Sequence, residues 1–386
     1  MNVVCLIGLI AGLAADRAGP QSHPYKEEIK NGIKIVHNLK VPAEKAFKDL
    51  KWEEDLVIGG ETDVEEYILA QPIEIIADPA GTIYVLDYKD CAVKKYDPRG
   101  KFIARIGRKG QGPGEFEIPS GICLDEEGRL LVGDMMANKI ESFDSAGIFI
   151  NSLKKERLYK FEMVRSGKLV IEYMELASGE SQVKRIRCLA AEEAGKARVV
   201  LYSRDQLPFA RVSNKDFQIE IPLYIRWDVT PDGRLYIGTA NCYEIRAMTL
   251  DGRVLFAFTR DYDPFPIPPD IRSAALKQLA GSRLPTMAVG ARDFEEYLKS
   301  YAIFKSITAD EKGRIWVELF QPESKDGTEA FSTFDVFSPE GVFLFSTRFE
   351  TELTARPFFK NGCLYALRRD TNGYVQAVRY RLPQGL

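Results

Sequence analysis

The 386-residue chain is predicted to be all-β, a ring of six blades with four short antiparallel strands in each. Three observations predict it. A glycine-centred tight turn followed by a β-forming run recurs six times. A second turn and a further strand follow most copies. The two ends of the chain hold incomplete units, and each supplies what the other lacks. Repeats of this size with four strands are the units of β-propellers, in which each blade buries its faces against its neighbours. Such a ring accommodates a chain longer than an ordinary single domain of roughly 100–200 residues.

The turn glycines are Gly81, Gly128, Gly167, Gly233, Gly313 and Gly362. Asp78-Pro79-Ala80-Gly81 leads into Thr82-Ile83-Tyr84-Val85, and Asp125-Glu126-Glu127-Gly128 leads into Arg129-Leu130-Leu131-Val132. Glycine takes the left-handed conformation at low steric cost, and Asp or Asn beside it favours a turn. The second turns are Asp97-Pro98-Arg99-Gly100, Asp144-Ser145-Ala146-Gly147, Leu250-Asp251-Gly252 and Ser338-Pro339-Glu340-Gly341.

Residues 52–58 end in Gly59-Gly60 and read as the last strand of a unit whose first three strands do not precede it. The sixth copy stops three strands in, after Tyr374 to Arg381. Joining the two ends in one blade closes the ring and removes an exposed sheet edge. The propeller is therefore residues 52–386, closed by an N-terminal strand in the last blade. Blade three, residues 159–204, is long and weakly patterned. Gly233 and Gly313 stand much farther apart than the other neighbouring pairs, and the excess lies at 261–304. There Ile271, Ala275 and Leu279 recur at helical spacing, and Asp293 with Glu296 resembles a helix N-cap with its reciprocal partner. A helical insertion of one or two helices is expected between blades four and five.

Ahead of the ring, residues 19–51 form a lead-in, flexible over 16–32, with a short strand at 33–36 and one or two helical turns within 42–51. Residues 1–18 are expected to be a signal segment. The apolar run from Val3 to Ala15 is shorter than the roughly 20 residues that span a bilayer as a helix. It fits a secretory core with small residues near a cleavage point, although it has no positive segment before it. The expectation is an exported protein: periplasmic, outer-membrane-associated or extracellular. It is cytoplasmic if that run is not a signal. Cys5 reads as an ordinary thiol in a removed segment. Cys91, Cys123, Cys188, Cys242 and Cys363 are scattered with no Cys-x-x-Cys pair, which excludes a zinc ribbon and predicts no disulfide. The formal net charge of −3 gives no footprint for nucleic acid.

Blade two carries Gly110-Gln111-Gly112-Pro113-Gly114-Glu115-Phe116, Pro119-Ser120-Gly121-Ile122, Gly128-Arg129-Leu130-Leu131-Val132, Asp134, Asn138-Lys139-Ile140 and Phe143-Asp144. Blade one carries Tyr84-Val85-Leu86-Asp87 and Val93-Lys94-Lys95-Tyr96-Asp97. These residues resemble NHL-type repeats, and more closely the bacterial six-bladed propeller proteins built from them. The likeness is specific across 72–153 and extends in rhythm over 52–386. In the later blades Asp87 and Asp134 give way to Tyr173, Thr239, Leu319 and Arg368. The resemblance implies the fold. It also implies a binding scaffold or, in a minority of relatives, a lyase or hydrolase with a metal, and fold likeness does not choose between them.

His23 and His37 are the only histidines, and both precede the ring, which argues against a histidine triad or a histidine-ligated zinc or copper site inside it. The loop Gly107 to Gly114 lacks the Gly-Lys-Ser/Thr ending of a phosphate loop. Trp227 and Trp316 fit core positions between blades. The starts of the innermost strands, the loops after the second strands and the blade connectors should share one face. On it the candidate ligand-binding residues are Glu74, Asp87, Asp134, Lys160, Glu172, Arg226, Glu318 and Arg368. Either Arg226 and Lys160 meet an anionic group and Glu172 and Glu318 a cation, or these charges pair with one another and with the loops. For Asp87 and Asp134, loop-capping hydrogen bonds are favoured. The function expected is a non-catalytic scaffold that presents one propeller face to a protein, peptide or glycan, with no cofactor. The alternative is a metal-assisted hydrolase or lyase, with Ca²⁺ held by channel carboxylates drawn from Glu74, Asp87, Asp134, Glu172, Asp228 and Glu318.

Overall fold

The computed structural model describes residues 24–155, 158–178, 183–205, 211–213, 218–220, 225–281, 298–321, 331–383 and 386. Six four-stranded antiparallel blades form a ring. Blade one is Pro72–Ala77, Ile83–Asp87, Ala92–Tyr96 and Phe102–Ile106. Blade two is Pro119–Leu124, Leu130–Asp134, Lys139–Phe143 and Phe149–Lys154. Blade three is Leu158–Met163, Leu169–Ser178, Val183–Glu192 and Val199–Asp205. Blade four is Ile225–Val229, Leu235–Thr239, Glu244–Met248 and Val254–Arg260. Blade five is Phe304–Ala309, Ile315–Leu319, Ser332–Phe337 and Phe343–Phe349.

Blade six is built from both ends of the chain. Phe358–Lys360, Cys363–Arg369 and Val375–Arg381 are completed by Glu53–Gly59, with Val57 opposite Val378. Beside this junction Trp52 stacks on Phe349 of blade five, ring centroids 4.1 Å apart.

The strand patterns follow from the ring. The second and third strands of blade one are buried along their whole length, because both faces are covered by neighbouring blades. The outer strand Phe102–Ile106 alternates between covered and exposed positions. The core therefore lies between blades. Tyr236, Ile245 and Phe258 of blade four pack with Phe304, Ile307 and Phe337 of blade five. Gly107 has φ +80°, and an added Cβ would stand 2.1 Å from the buried ring of Phe116. Only glycine lets the connector pass under that ring.

The lead-in differs from the flexible segment expected over 16–32. Over its described part, Tyr25–Lys30 and Ile33–Asn38 form a hairpin, turned by Asn31 and Gly32, both at positive φ. Ile33–Asn38 then pairs parallel with Val254–Arg260 and extends the sheet of blade four to six strands. Buried Asn38 locks it in place. Its amide donates to the carbonyls of Thr259 and Gly341, both at 2.9 Å, and its oxygen accepts the Phe343 N–H at 2.7 Å. The hairpin thereby ties blade four to blade five. The helical turn expected within 42–51 is Ala43–Ala46. In the insertion, Pro269–Gly281 is helical with Ala275 buried, while Asp293, Glu296 and the signal segment lie outside the described residues.

The two faces of the ring are unlike. The loops between first and second strands, and those between third and fourth strands in blades one, two, four and five, are tight turns, most of them closed by paired backbone bonds. In one, the Asp78 N–H reaches Thr82 and the Gly81 N–H reaches Asp78; in another, Asp97 pairs with Lys101 and Gly100 with Asp97. Antiparallel order puts all of these on one face. The opposite face collects the described blade connectors 60–71, 107–118, 261–268, 298–303 and 350–357, together with the described loops after the second strands, such as 88–91, 135–138, 240–243 and 370–374.

A candidate binding face around a self-paired axis

At the axis, the innermost strand of each blade presents a sheet edge whose N–H and C=O groups have no partner within the blade. Buried backbone groups of this kind need partners, and charged side chains of the preceding blade supply several. The Glu74 carboxylate accepts the Ile122 N–H of blade two at 2.7 Å. Lys160 donates to the Trp227 carbonyl of blade four at 3.1 Å, its Nζ 4.1 Å from the Trp227 ring centroid. Arg226 donates to the Lys305 carbonyl of blade five at 2.5 Å, and Asp228 accepts the Ala309 N–H there at 2.7 Å.

Across this ring lies Arg356, from the connector into blade six. Its guanidinium pairs with Asp228 of blade four, meets Glu162 of blade three at 2.5 Å and lies 3.7 Å from Glu74 of blade one. Only the axis is within reach of all four blades. Lys160 stands 3.9 Å from Glu162 and adds a second cation. Burial, and then the charge of Glu162, push the Glu74 carboxyl up to about 7, against the opposing pull of Arg356. Burial lowers Lys160, and the nearby Arg356 charge lowers it further. Burial works against charge on Arg356 as well, but Asp228, Glu162 and Glu74 outweigh it and hold the guanidinium firmly protonated.

The other candidates lie elsewhere. Asp87 is buried and accepts four backbone N–H groups, from Ala70, Gln71, Lys89 and Asp90. Asp134 does the same for Glu117, Ile118, Met136 and Ala137. Each carboxylate ties a blade connector to the loop after the second strand, and its lone pairs are spent there. Glu172 accepts the Trp227 indole N–H at 2.7 Å and pairs with Arg187. Glu318 is held by the hydroxyls of Ser306 at 3.0 Å and Ser332 at 2.9 Å, and burial raises its carboxyl. Arg368 does not face the axis. It points along its own sheet to Gln376, Tyr380 and Glu54.

Of the six carboxylates weighed for calcium, Glu74 and Asp228 come together, around Arg356. Among the described residues no group of three or more His, Cys, Asp and Glu side chains is arranged to hold a metal ion. Glu162 and Arg356 were not singled out from the sequence. Arg356 lies in a connector with no motif around it, and even the nearest of its partners in the chain, Asp228, is 128 residues away.

The long-loop face carries large apolar side chains in the open. Val64, Ile68, Tyr88, Met136, Phe265, Phe331 and Tyr374 are all exposed and all lie in its connectors and loops, Met136 to 56%. In the tight turns of the opposite face Ile148 alone is such a residue among the described ones. No helix among the described residues is long and apolar enough to cross a membrane.

A family model described as a 6-bladed beta-propeller matches residues 61–219. A stretch of 49 residues, 13% of this chain, is 43% identical to protein lin-41 of Caenorhabditis elegans, and the match spans 4% of that protein's length. Two crystal structures share the fold at low identity. One is a Bacteroides fragilis protein described as exported, with a TM-score of 0.54 and 11% identity, covering 91% of this chain and 100% of that one. The other is a member of the duf4221 family from Bacteroides vulgatus, with a TM-score of 0.52 and 9% identity, covering 86% of this chain and 98% of that one. With the ring closed between its two ends, the chain is a six-bladed β-propeller, and its blades one and two resemble NHL-type repeats.

Proposed function

We propose that this propeller is an exported binding scaffold that presents its long-loop face to a protein or peptide. The carrying observation is the contrast between the faces. Exposed aromatic, aliphatic and methionine side chains gather on the connectors of one face, while the other is closed by tight turns. Apolar patches left open on a soluble ring mark interaction surfaces, and aromatic and Met side chains are enriched in them. Loops held by a rigid scaffold are where recognition residues are usually placed, and Asp87 and Asp134 supply that rigidity here. At the axis the charges satisfy one another, and Arg356 occupies the point where Glu162 and Asp228 converge. That arrangement favours binding at the loops over metal-assisted chemistry in the channel. Export rests on the apolar run from Val3 to Ala15.

The test is site-specific photo-crosslinking in cells that make the protein. A photoreactive residue at Met136 or Tyr374 should give discrete protein adducts, and one at Arg99 or Glu127 in the tight turns should give none. Equal labelling from both faces, or no adduct from the loop face, would count against the reading.

A further inference from the structure

Taking the long-loop face as the binding surface, we infer that the connector 60–71, with the turns on either side of it, is a preformed seat for a basic and apolar segment of a partner protein. The connector lies between the last strand of blade six and the first of blade one. It carries Val64 and Ile68 among Glu61, Asp63, Glu65 and Glu66, and all six are exposed. Two turns flank it. Tyr374 closes one, which touches the connector where the Asn372 amide donates to Glu61 at 3.3 Å. Tyr88 opens the other, and its N–H reaches the Gln71 carbonyl at 3.0 Å. Two exposed apolar side chains on the strip and one in each flanking turn thus accompany four exposed acids, against the exposed bases Lys89 and Arg369.

The strip is held from beneath. Buried Lys94 donates to the carbonyls of Glu65 and Ile68, and buried Tyr96 donates to the Glu66 carbonyl at 2.7 Å. The Asp87 carboxylate fixes Ala70 and Gln71. A connector pinned at Glu65, Glu66, Ile68, Ala70 and Gln71 loses little conformational freedom when a ligand lands on it, which is the advantage of preorganisation. Its exposed charge is net negative while its exposed carbon is aliphatic and aromatic. The complementary surface is a protein segment in which Lys or Arg alternates with apolar residues.

The test uses the folded protein and three synthetic peptides of equal length, one of Lys and Leu, one of Glu and Leu and one of Lys and Ser, followed by fluorescence anisotropy. The Lys/Leu peptide should bind, more weakly as salt is raised, and the other two should bind far less. Glu65→Lys with Glu66→Lys, and separately Val64→Ser with Ile68→Ser, should each weaken binding by about tenfold with an unchanged unfolding midpoint. Phe265→Ser with Phe331→Ser, elsewhere on the same face, should leave it unaltered. If that last pair abolishes binding and the connector variants do not, the seat is misplaced although the loop face stands. If only tight-turn substitutions such as Glu127→Lys matter, the seat and the face both fall. No binding of the Lys/Leu peptide, or equal binding of the Glu/Leu peptide, overturns the seat. So does a dimer in sedimentation that Val64→Ser with Ile68→Ser dissolves, because the occupant is then a second copy.

Discussion

The Arg356 guanidinium stands 2.5 Å from the Glu162 carboxylate, although one residue leads into blade six and the other lies on the innermost strand of blade three. The same guanidinium pairs with Asp228 of blade four. One side chain therefore crosslinks separate blades through the axis. Its side chain is only 20% exposed, so the pairing is little screened by solvent.

Arg356→Ala should be costly. It leaves Glu162, Asp228 and Glu74 facing one another with only Lys160 to offset them. Removing one partner of a buried ion pair typically costs about 3–5 kcal/mol. Urea unfolding should show a loss in that range, and Arg356→Lys should recover only part of it, since a point charge cannot serve the same fork of acceptors. Arg356→Met combined with Glu162→Gln and Asp228→Asn should be milder than Arg356→Ala alone.

Glu74 predicts a pH dependence. Its carboxyl is raised from 4.5 to about 7, by burial first and by Glu162 second. Between those values the folded state holds the proton more tightly than the unfolded state. The stability linked to this group is thus complete below about 4.5 and is lost as pH rises through about 7. Glu74→Gln should flatten the fall in unfolding free energy across that window, measured by urea titration at stepped pH. An unchanged slope would show that Glu74 is not the group responsible.

Asp134→Ala and Asp87→Ala should each destabilise the protein, by about 3 kcal/mol, because each strands several backbone N–H groups that now meet a carboxylate. Asp134→Asn keeps one acceptor oxygen and should cost less. Denaturant midpoints check both, and proteolysis of the loop at 107–118 should quicken in Asp134→Ala.

Calcium and a chelator should leave the melting temperature unaltered. The carboxylates nearest the axis are already neutralised by Arg356 and Lys160. A calcium-dependent rise that Asp228→Asn abolishes would restore the metal-assisted alternative.

The ring was legible in the sequence because its determinants are local. Asp78 to Gly81 and Asp125 to Gly128 announce their turns through residue type alone, and the strand at 52–58 is conspicuous as an orphan. Asp87 and Asp134 were legible as caps because each ends a strand beside a tight loop. The Asn31-Gly32 hairpin was overlooked although Asn-Gly is a strong turn signal. Its second strand was expected at 33–36, but the first, Tyr25–Lys30, is mostly polar, and the place of both depends on Val254–Arg260, far along the chain. Arg356 was hidden for a stronger reason. Nothing near it in sequence says what it meets, and its partners are assembled only when the ring closes.

The most direct measurement of the central claim is hydrogen–deuterium exchange with and without the Lys/Leu peptide. Slowed exchange should be confined to the long-loop face, in residues 60–71, 88–91 and 370–374. Protection of the tight turns around Gly100, Gly128 or Gly341, with no change in those three segments, would contradict it.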